Sequence, residues 1–395
     1  MKHPWSDNSQ FDGRLAAGGV ESAGQERFRR DMSTSTSTST ALDASAASGP
    51  WIYNKRFDLV FLTLSGVLVF FPYLSYGLLG QIGFSEATAS LIVGLAVTLL
   101  VGGPHMYSTY LRTALEPRFR ERYGLLTYAP LVIIPTLVVL GALHAFVLLL
   151  TLFFFWASIH VTHQAQWISE TYRRRAGARV EPLDRWFDGA LILGSLYTMA
   201  MYKFVAGKFA LGDNTLFFPS WLMRREVAVA FTIGFAAFFL FYVARTVGEI
   251  RRGQQSWPRL IFMASTVSLA FVVPLFDNLD ISFQGFNTWH SLQYLALTWF
   301  ILGRKAEQGE IGSNLVRKLA GTEKTGLYYG AMIGATLAAG AIYFFVWKGL
   351  GFPQDKSYYV VVLTFLLIHY FYDHILFRDF QGLQASPRLV QRRLV

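Results

Sequence analysis

The sequence predicts an all-α, polytopic integral membrane bundle of about ten transmembrane helices with both termini cytoplasmic. Three observations predict it. Of the 395 residues, 53% are hydrophobic and 16% aromatic against only 15% charged, too apolar for a soluble protein of this length. The apolar residues gather into runs of about 17 to 25, the length a helix needs to cross a hydrocarbon core of about 30 Å. Lys and Arg concentrate in alternate loops, as they do on the cytoplasmic side of membrane proteins.

Residues 1–50 are small and polar, with a Ser-Thr repeat from Ser33 to Thr40, and lack the apolar core of a secretory signal. They predict a disordered cytoplasmic tail. Residues 51–380 form the transmembrane domain, with spans near 57–80, 87–111, 127–143, 145–168, 188–209, 226–246, 259–278, 284–303, 326–350 and 358–377. The apolar block from Thr127 to Trp167 is too long for one crossing at about 1.5 Å per residue, so a tight turn is expected at Gly141 to His144. Residues 381–395 read as a basic cytoplasmic tail. Loops after the even-numbered spans carry Arg112, Arg118, Arg120 and Arg122; Arg173, Arg174, Arg175 and Arg179; Arg251 and Arg252; Arg304 and Lys305. Those after odd-numbered spans are nearly free of them, apart from Arg224 and Arg225. That asymmetry requires an even number of spans. The loops are connections, too short for a second domain.

No cysteine is present, which removes thiolate ligands, disulfides and cysteine nucleophiles and leaves His, Asp, Glu and Tyr for metal chemistry. The formal charge of +10 sits in short clusters between apolar runs, so the expected partners are membrane lipids and not nucleic acid.

The histidines carry the functional signal. Six of the eight, His105, His160, His163, His290, His369 and His374, lie toward the cytoplasmic ends of spans two, four, eight and ten. Counted from the first basic loop residue at about 1.5 Å per residue, His105, His163, His369 and His290 lie roughly 10, 15, 14 and 21 Å deep. Imidazoles at similar depth on four helices are unfavourable in hydrocarbon unless something occupies them. In FFFWASIHVTHQAQW, Phe153 to Trp167, His160 and His163 are spaced i,i+3 on one face. Neutral imidazoles converging on an open position describe iron or zinc better than magnesium or calcium. His105, His160, His163, His290 and His369 are therefore candidate metal ligands, with Fe(II) as the first choice and zinc as the alternative. His369 is the better inward ligand of LIHYFYDHILFR, because His374 lies about 140° round the helix. Gln164, Gln293 and Asp373 are candidates to hold the ligands' second nitrogens. Tyr107 or Tyr110, in GGPHMYSTY, is placed to reach a bound oxygen species, and Tyr294 shares a face with His290. His144 and His3 are bystanders.

The segments GGPHMYSTY, ASIHVTHQA, TWHSLQY and LLIHYFYDH, in this order on separate spans, resemble the Pro-His, Ile-His and His-Ser motifs of the bacterial Brp/Blh-type beta-carotene dioxygenases. The resemblance is confined to these short motifs. It implies a multi-helix membrane fold that holds non-haem iron through histidines and cleaves the central double bond of beta-carotene, with His105, His160 and His290 on ligand positions. Where that family's His-x-x-x-His has its second imidazole this chain has Tyr294, which leaves His163 or His369 as the fourth ligand.

The expected function is an integral-membrane non-haem iron oxygenase in the bacterial inner (cytoplasmic) membrane. It would act with O2 on a lipid-soluble substrate: a carotenoid, polyprenoid or acyl lipid. Tyr294, Asp373 and Tyr107 are its candidate catalytic groups. The alternatives are a zinc-dependent lipid hydrolase with Asp373 as general base, and a non-enzymatic haem-binding or transport protein. A desaturase would need several clustered His-rich boxes, and this chain has one close His-x-x-His.

Overall fold

The computed structural model describes residues 49–178 and 180–378. Apart from Gly49 and Pro50, the expected tails at 1–50 and 381–395 lie outside these residues, as do His3 and Arg179.

Each of the ten predicted runs falls on a long helix: α1 (Lys55–Gln81), α2 (Glu86–Leu111), α3 (Leu125–His144), α4 (Phe146–Arg175), α5 (Pro182–Val205), α6 (Arg225–Arg251), α7 (Trp257–Leu275), α8 (Leu279–Glu307), α9 (Thr325–Gly349) and α10 (Gln354–Leu376). Eight are long and apolar enough to cross a membrane; α5 and α8 are long enough but more polar. Large apolar side chains stand exposed along them, such as Leu125 at 79%, Leu240 at 68% and Ile233 at 65%. Apolar exposure on this scale suits lipid and not water.

Several boundaries differ from expectation, among them the start of α5 and both ends of α8, which run beyond the predicted spans; two are instructive. The turn inside the 127–167 block comes at Ala145 (φ −149°, ψ 48°), one residue beyond Gly141 to His144, and Gly141 stays helical beneath Leu149. The helix α4 runs on to Arg175 because its last turns pack against protein: Ser169, Thr171 and Tyr172 are all buried.

The core is built around α8, which packs against α1, α2 and α7, and around α4, which packs against α3, α5, α7 and α10. Glycine sets the closest approach. A Cβ on Gly285 of α8 would stand 2.5 Å from the Val69 carbonyl oxygen of α1, so no larger residue fits this crossing. Toward one end of the bundle, four helices are tied by a buried polar knot. Arg259 (α7) bonds Asp188 (α5) at 2.5 Å and Ser169 (α4) at 2.9 Å, while Tyr242 (α6) donates to Asp188 at 2.8 Å. Every charge in it has a partner, as burial requires.

Candidate metal centre

The backbone of α2 is distorted where it presents His105. Thr98–Gly102 is π-helical, directly before Gly103 and Pro104. Proline has no N–H and its ring displaces the carbonyl four residues back, that of Leu100. The freed carbonyl accepts instead from the Tyr329 hydroxyl of α9. Gly103 lies beneath Thr336 of α9 with no room for a Cβ, so the bulge and its histidine are wedged against α8 and α10.

Four imidazoles meet there. His105 (α2), His290 (α8), His160 (α4) and His369 (α10) close a ring, with neighbouring centroids 5.2, 4.9, 4.8 and 4.8 Å apart. All four are at most 3% exposed. Asp373, one turn beyond His369, closes the side toward α10: its Oδ2 lies 3.6 Å from His369 Nε2 and 3.8 Å from His160 Nε2. Two overlapping triads, His105–His290–His369 and His160–His369–Asp373, each bring one ligand atom per residue within 4.8 Å of the others, and could hold a metal ion.

Counting hydroxyl protons shows which nitrogens are available. A hydroxyl has one proton to give. Ser291 gives its own to Asn287 Oδ1 at 3.0 Å, so it accepts from His105 Nδ1 at 2.8 Å. Tyr294 gives its proton to Asp373 Oδ1 at 2.6 Å and Thr109 gives its own to the Tyr294 oxygen at 2.7 Å or to Asp373 Oδ1 at 3.1 Å, so Thr109 accepts from His369 Nδ1 at 2.5 Å. Both rings therefore carry the proton on Nδ1 and direct the Nε2 lone pair inward. Among the described residues neither Nε2 has a hydrogen-bond partner, nor has Asp373 Oδ2, although all three are buried. Asp373 Oδ1, by contrast, also accepts from the Tyr294 hydroxyl at 2.6 Å. Pinning one carboxylate oxygen while the other stays bare is what a ligand or a proton acceptor needs.

The spacing fits an ion as well. Two nitrogens bound to one ion at about 2.1 Å lie about 3.0 to 3.4 Å apart. His160 Nε2 and His290 Nε2 are 3.1 Å apart. Two lone pairs at that distance repel unless a proton or a cation lies between them. Gln164, the expected supporting residue on α4, donates to the His290 carbonyl at 3.1 Å and to Gln293 Oε1 at 3.0 Å, and Gln293 donates to the Leu62 carbonyl at 2.6 Å. The two glutamines thus brace α4, α8 and α1 around the ring and do not touch its imidazoles' nitrogens.

No family model, curated protein or solved structure matches the chain. The geometry alone identifies the centre.

Two candidates from the sequence are not brought to it. His163 shares a broad face with His160, but three residues turn a helix through about 300°, leaving the rings about 60° apart. His160 points into the ring while His163 packs against His374 at 5.2 Å, and neither belongs to the triads. Tyr107 stacks on Tyr110 at 6.4 Å and meets Phe365 edge-on at 5.4 Å, in the packing between α2 and α10. Of the two residues offered as fourth ligand, His369 is the one in the cluster.

The sequence reading missed Thr109, Ser291 and Tyr370. The last stacks on the His160 ring at 4.0 Å and fixes its plane. Each lies beside or one turn from a selected histidine, which is a signal only in retrospect; for Ser291 the His-Ser motif offered a better one.

An apolar cavity opens beside the ring. It holds about 940 Å³ of empty space, its open mouth included, between α4, α5, α7 and α8. His105, His290 and Tyr370 form one end; Phe209, Leu279 and Lys203 line the other.

Proposed function

We propose that this protein is a metal-dependent oxygenase of the bacterial inner membrane, with ten spanning helices and cytoplasmic termini, that acts with O2 on a lipid-soluble substrate. Carotenoids, polyprenoids and acyl lipids are the substrate classes in view. The observation that carries the reading is a ring of four buried imidazoles, two with their tautomers fixed by hydroxyls, at the inner end of an apolar cavity. His105, His160, His290 and His369 would hold the ion, and Asp373 stands as a fifth donor. A mostly imidazole set favours Fe(II), which supplies the means to bind and activate O2. The short-motif resemblance to Brp/Blh-type dioxygenases points the same way.

The chain's own contributions are positioning and exclusion. Thr109 and Ser291 aim the imidazoles, Tyr294 holds Asp373, and Tyr370 and Phe377 pack over His160 at 4.0 and 6.2 Å, keeping water from that side. The cavity confines an apolar chain beside His105 and His290, replacing a bimolecular encounter by a held one. The bare Oδ2 of Asp373 is the group placed to accept a proton.

That same oxygen favours a second reading, a zinc hydrolase in which Asp373 is the general base. Elemental analysis of the purified protein, with O2 uptake measured in the presence of membrane-lipid extract, separates the two. Stoichiometric iron with substrate-dependent O2 uptake supports the oxygenase; zinc with activity retained under anaerobic conditions overturns it.

A further inference from the structure

The cavity has two unlike ends, and the difference specifies its occupant. Most polar groups along its walls are already engaged within the protein. Ser158 donates to the Phe155 carbonyl at 2.7 Å and meets Tyr197 at 2.7 Å; Thr162 donates to the Ser158 carbonyl at 2.8 Å; Ser282 donates to the Asn278 carbonyl at 2.8 Å. Such walls recognise only apolar surface. Lys203 is different. Its ammonium has three donors. Two are directed at the carbonyls of Phe276 and Asp277, the second at 3.4 Å, where α7 ends and the chain turns toward α8. Among the described residues the third has no hydrogen-bond acceptor, although the Asp277 carboxylate lies near enough to offset part of the charge. Among the described residues, no Asp or Glu lines the cavity, and Lys203 is its one fixed cation.

A half-buried ammonium at the edge of an apolar chamber still offers that donor to whatever enters, and a charged acceptor satisfies it best. From Lys203 to Ile192 on α5, and from Leu279 to His290 on α8, there are eleven residues, or about 16 Å of helix each. All four residues line the cavity. The two helices run antiparallel, so both measure the same depth.

We propose that the cavity binds an amphiphile, with its anionic head group, a carboxylate or phosphate, on Lys203 and its apolar chain reaching about 16 Å inward to His105 and His290. A symmetric hydrocarbon offers the ammonium no acceptor. The proposal rests on the oxygenase reading only for which end of the chain reacts.

The test uses the full-length protein in detergent, with tritiated palmitate and, as a neutral head on the same chain, tritiated hexadecanol. Wild-type protein is expected to bind palmitate the more tightly. Lys203→Gln lowers palmitate affinity about tenfold or more and leaves hexadecanol binding unchanged. Filling the chamber with Ala200→Trp abolishes binding of both. Should that variant fold poorly, palmitate carrying a diazirine near its methyl end is photolysed in the wild-type protein and the adduct mapped by mass spectrometry, with Ala157, Tyr370 or His290 as the expected sites. Equal palmitate affinity in wild type and Lys203→Gln, or an adduct confined to the outer lipid-facing surface, overturns the proposal. Binding is measured with and without added metal. Lys203-dependent binding in a protein that takes up no O2 refutes the oxygenase reading alone, and O2 uptake without Lys203-dependent binding refutes this proposal alone.

Discussion

Replacing Thr109 by Val removes one hydroxyl and almost no volume from the most connected polar atom of the centre. That oxygen lies 2.5 Å from His369 Nδ1, 2.7 Å from the Tyr294 hydroxyl and 3.1 Å from Asp373 Oδ1, at 0% exposure. Without it the Nδ1 proton of His369 has no acceptor, and an orphaned buried donor costs about 1–3 kcal/mol. The ring relieves that cost by moving its proton to Nε2, the atom that faces the metal. Binding a metal then means reversing the tautomer, so the penalty reappears as lost affinity, about 10- to 100-fold, or about 1.4–2.8 kcal/mol. Competition against a chelator of known affinity, with purified protein titrated by Fe(II) under nitrogen or by Co(II), reads this directly. Thr109→Ser keeps the hydroxyl and is expected to restore binding. A Val variant that holds metal as tightly as wild type, or Ser and Val variants that lose affinity alike, would refute the claim that this hydroxyl sets the tautomer.

Three further outcomes are expected. His160→Ala and His290→Ala should each abolish metal retention while leaving membrane insertion intact, read by elemental analysis and by fractionation; a double variant that kept stoichiometric metal would sink the convergence argument. His163→Ala should retain the full metal complement, since that ring packs against His374 and not the centre. Arg259→Met should lower thermal stability in detergent by about 1–3 kcal/mol, because Asp188 loses its closest cation and keeps only the Arg173 guanidinium, 3.9 Å away, and Arg259→Met with Asp188→Leu should recover most of the loss; equal melting of the two variants would count against the knot.

The bundle was legible because apolar runs of spanning length have few other uses, and each of the ten predicted runs falls on a helix. The ends of α4, α5 and α8 were less so. Their terminal turns carry polar residues that satisfy one another across helices, as Asp188, Arg259 and Ser169 do, and hydropathy cannot tell such a turn from a loop. The centre was legible as far as imidazoles go, since four helices carried one at similar depth. Its supporting hydroxyls were not. Thr109 and Ser291 are common helix residues, and Thr109 is 264 positions from the carboxylate it bonds. The cavity left no motif, because its lining comes from residues scattered along the chain from His105 to Tyr370.

Position 294 shows what a phenol contributes beside the ring. An imidazole there, i+4 from His290, would face the ring; the chain has a phenol instead. A tyrosine's polar atom stands farther from the backbone than an imidazole nitrogen, so it passes beyond the ring and reaches Asp373 Oδ1 and Thr109, at 2.6 and 2.7 Å. On the other side α10 contributes His369 and Asp373, i,i+4 apart, which bring an imidazole and a carboxylate to the same ring. Tyr294 orients that carboxylate. The consequence is one of charge: beside its four imidazoles the ring has a buried carboxylate, which would draw a divalent ion more strongly and offers a proton acceptor. Tyr294→Phe separates these roles, because it frees Asp373 Oδ1 of its strongest donor without touching any imidazole.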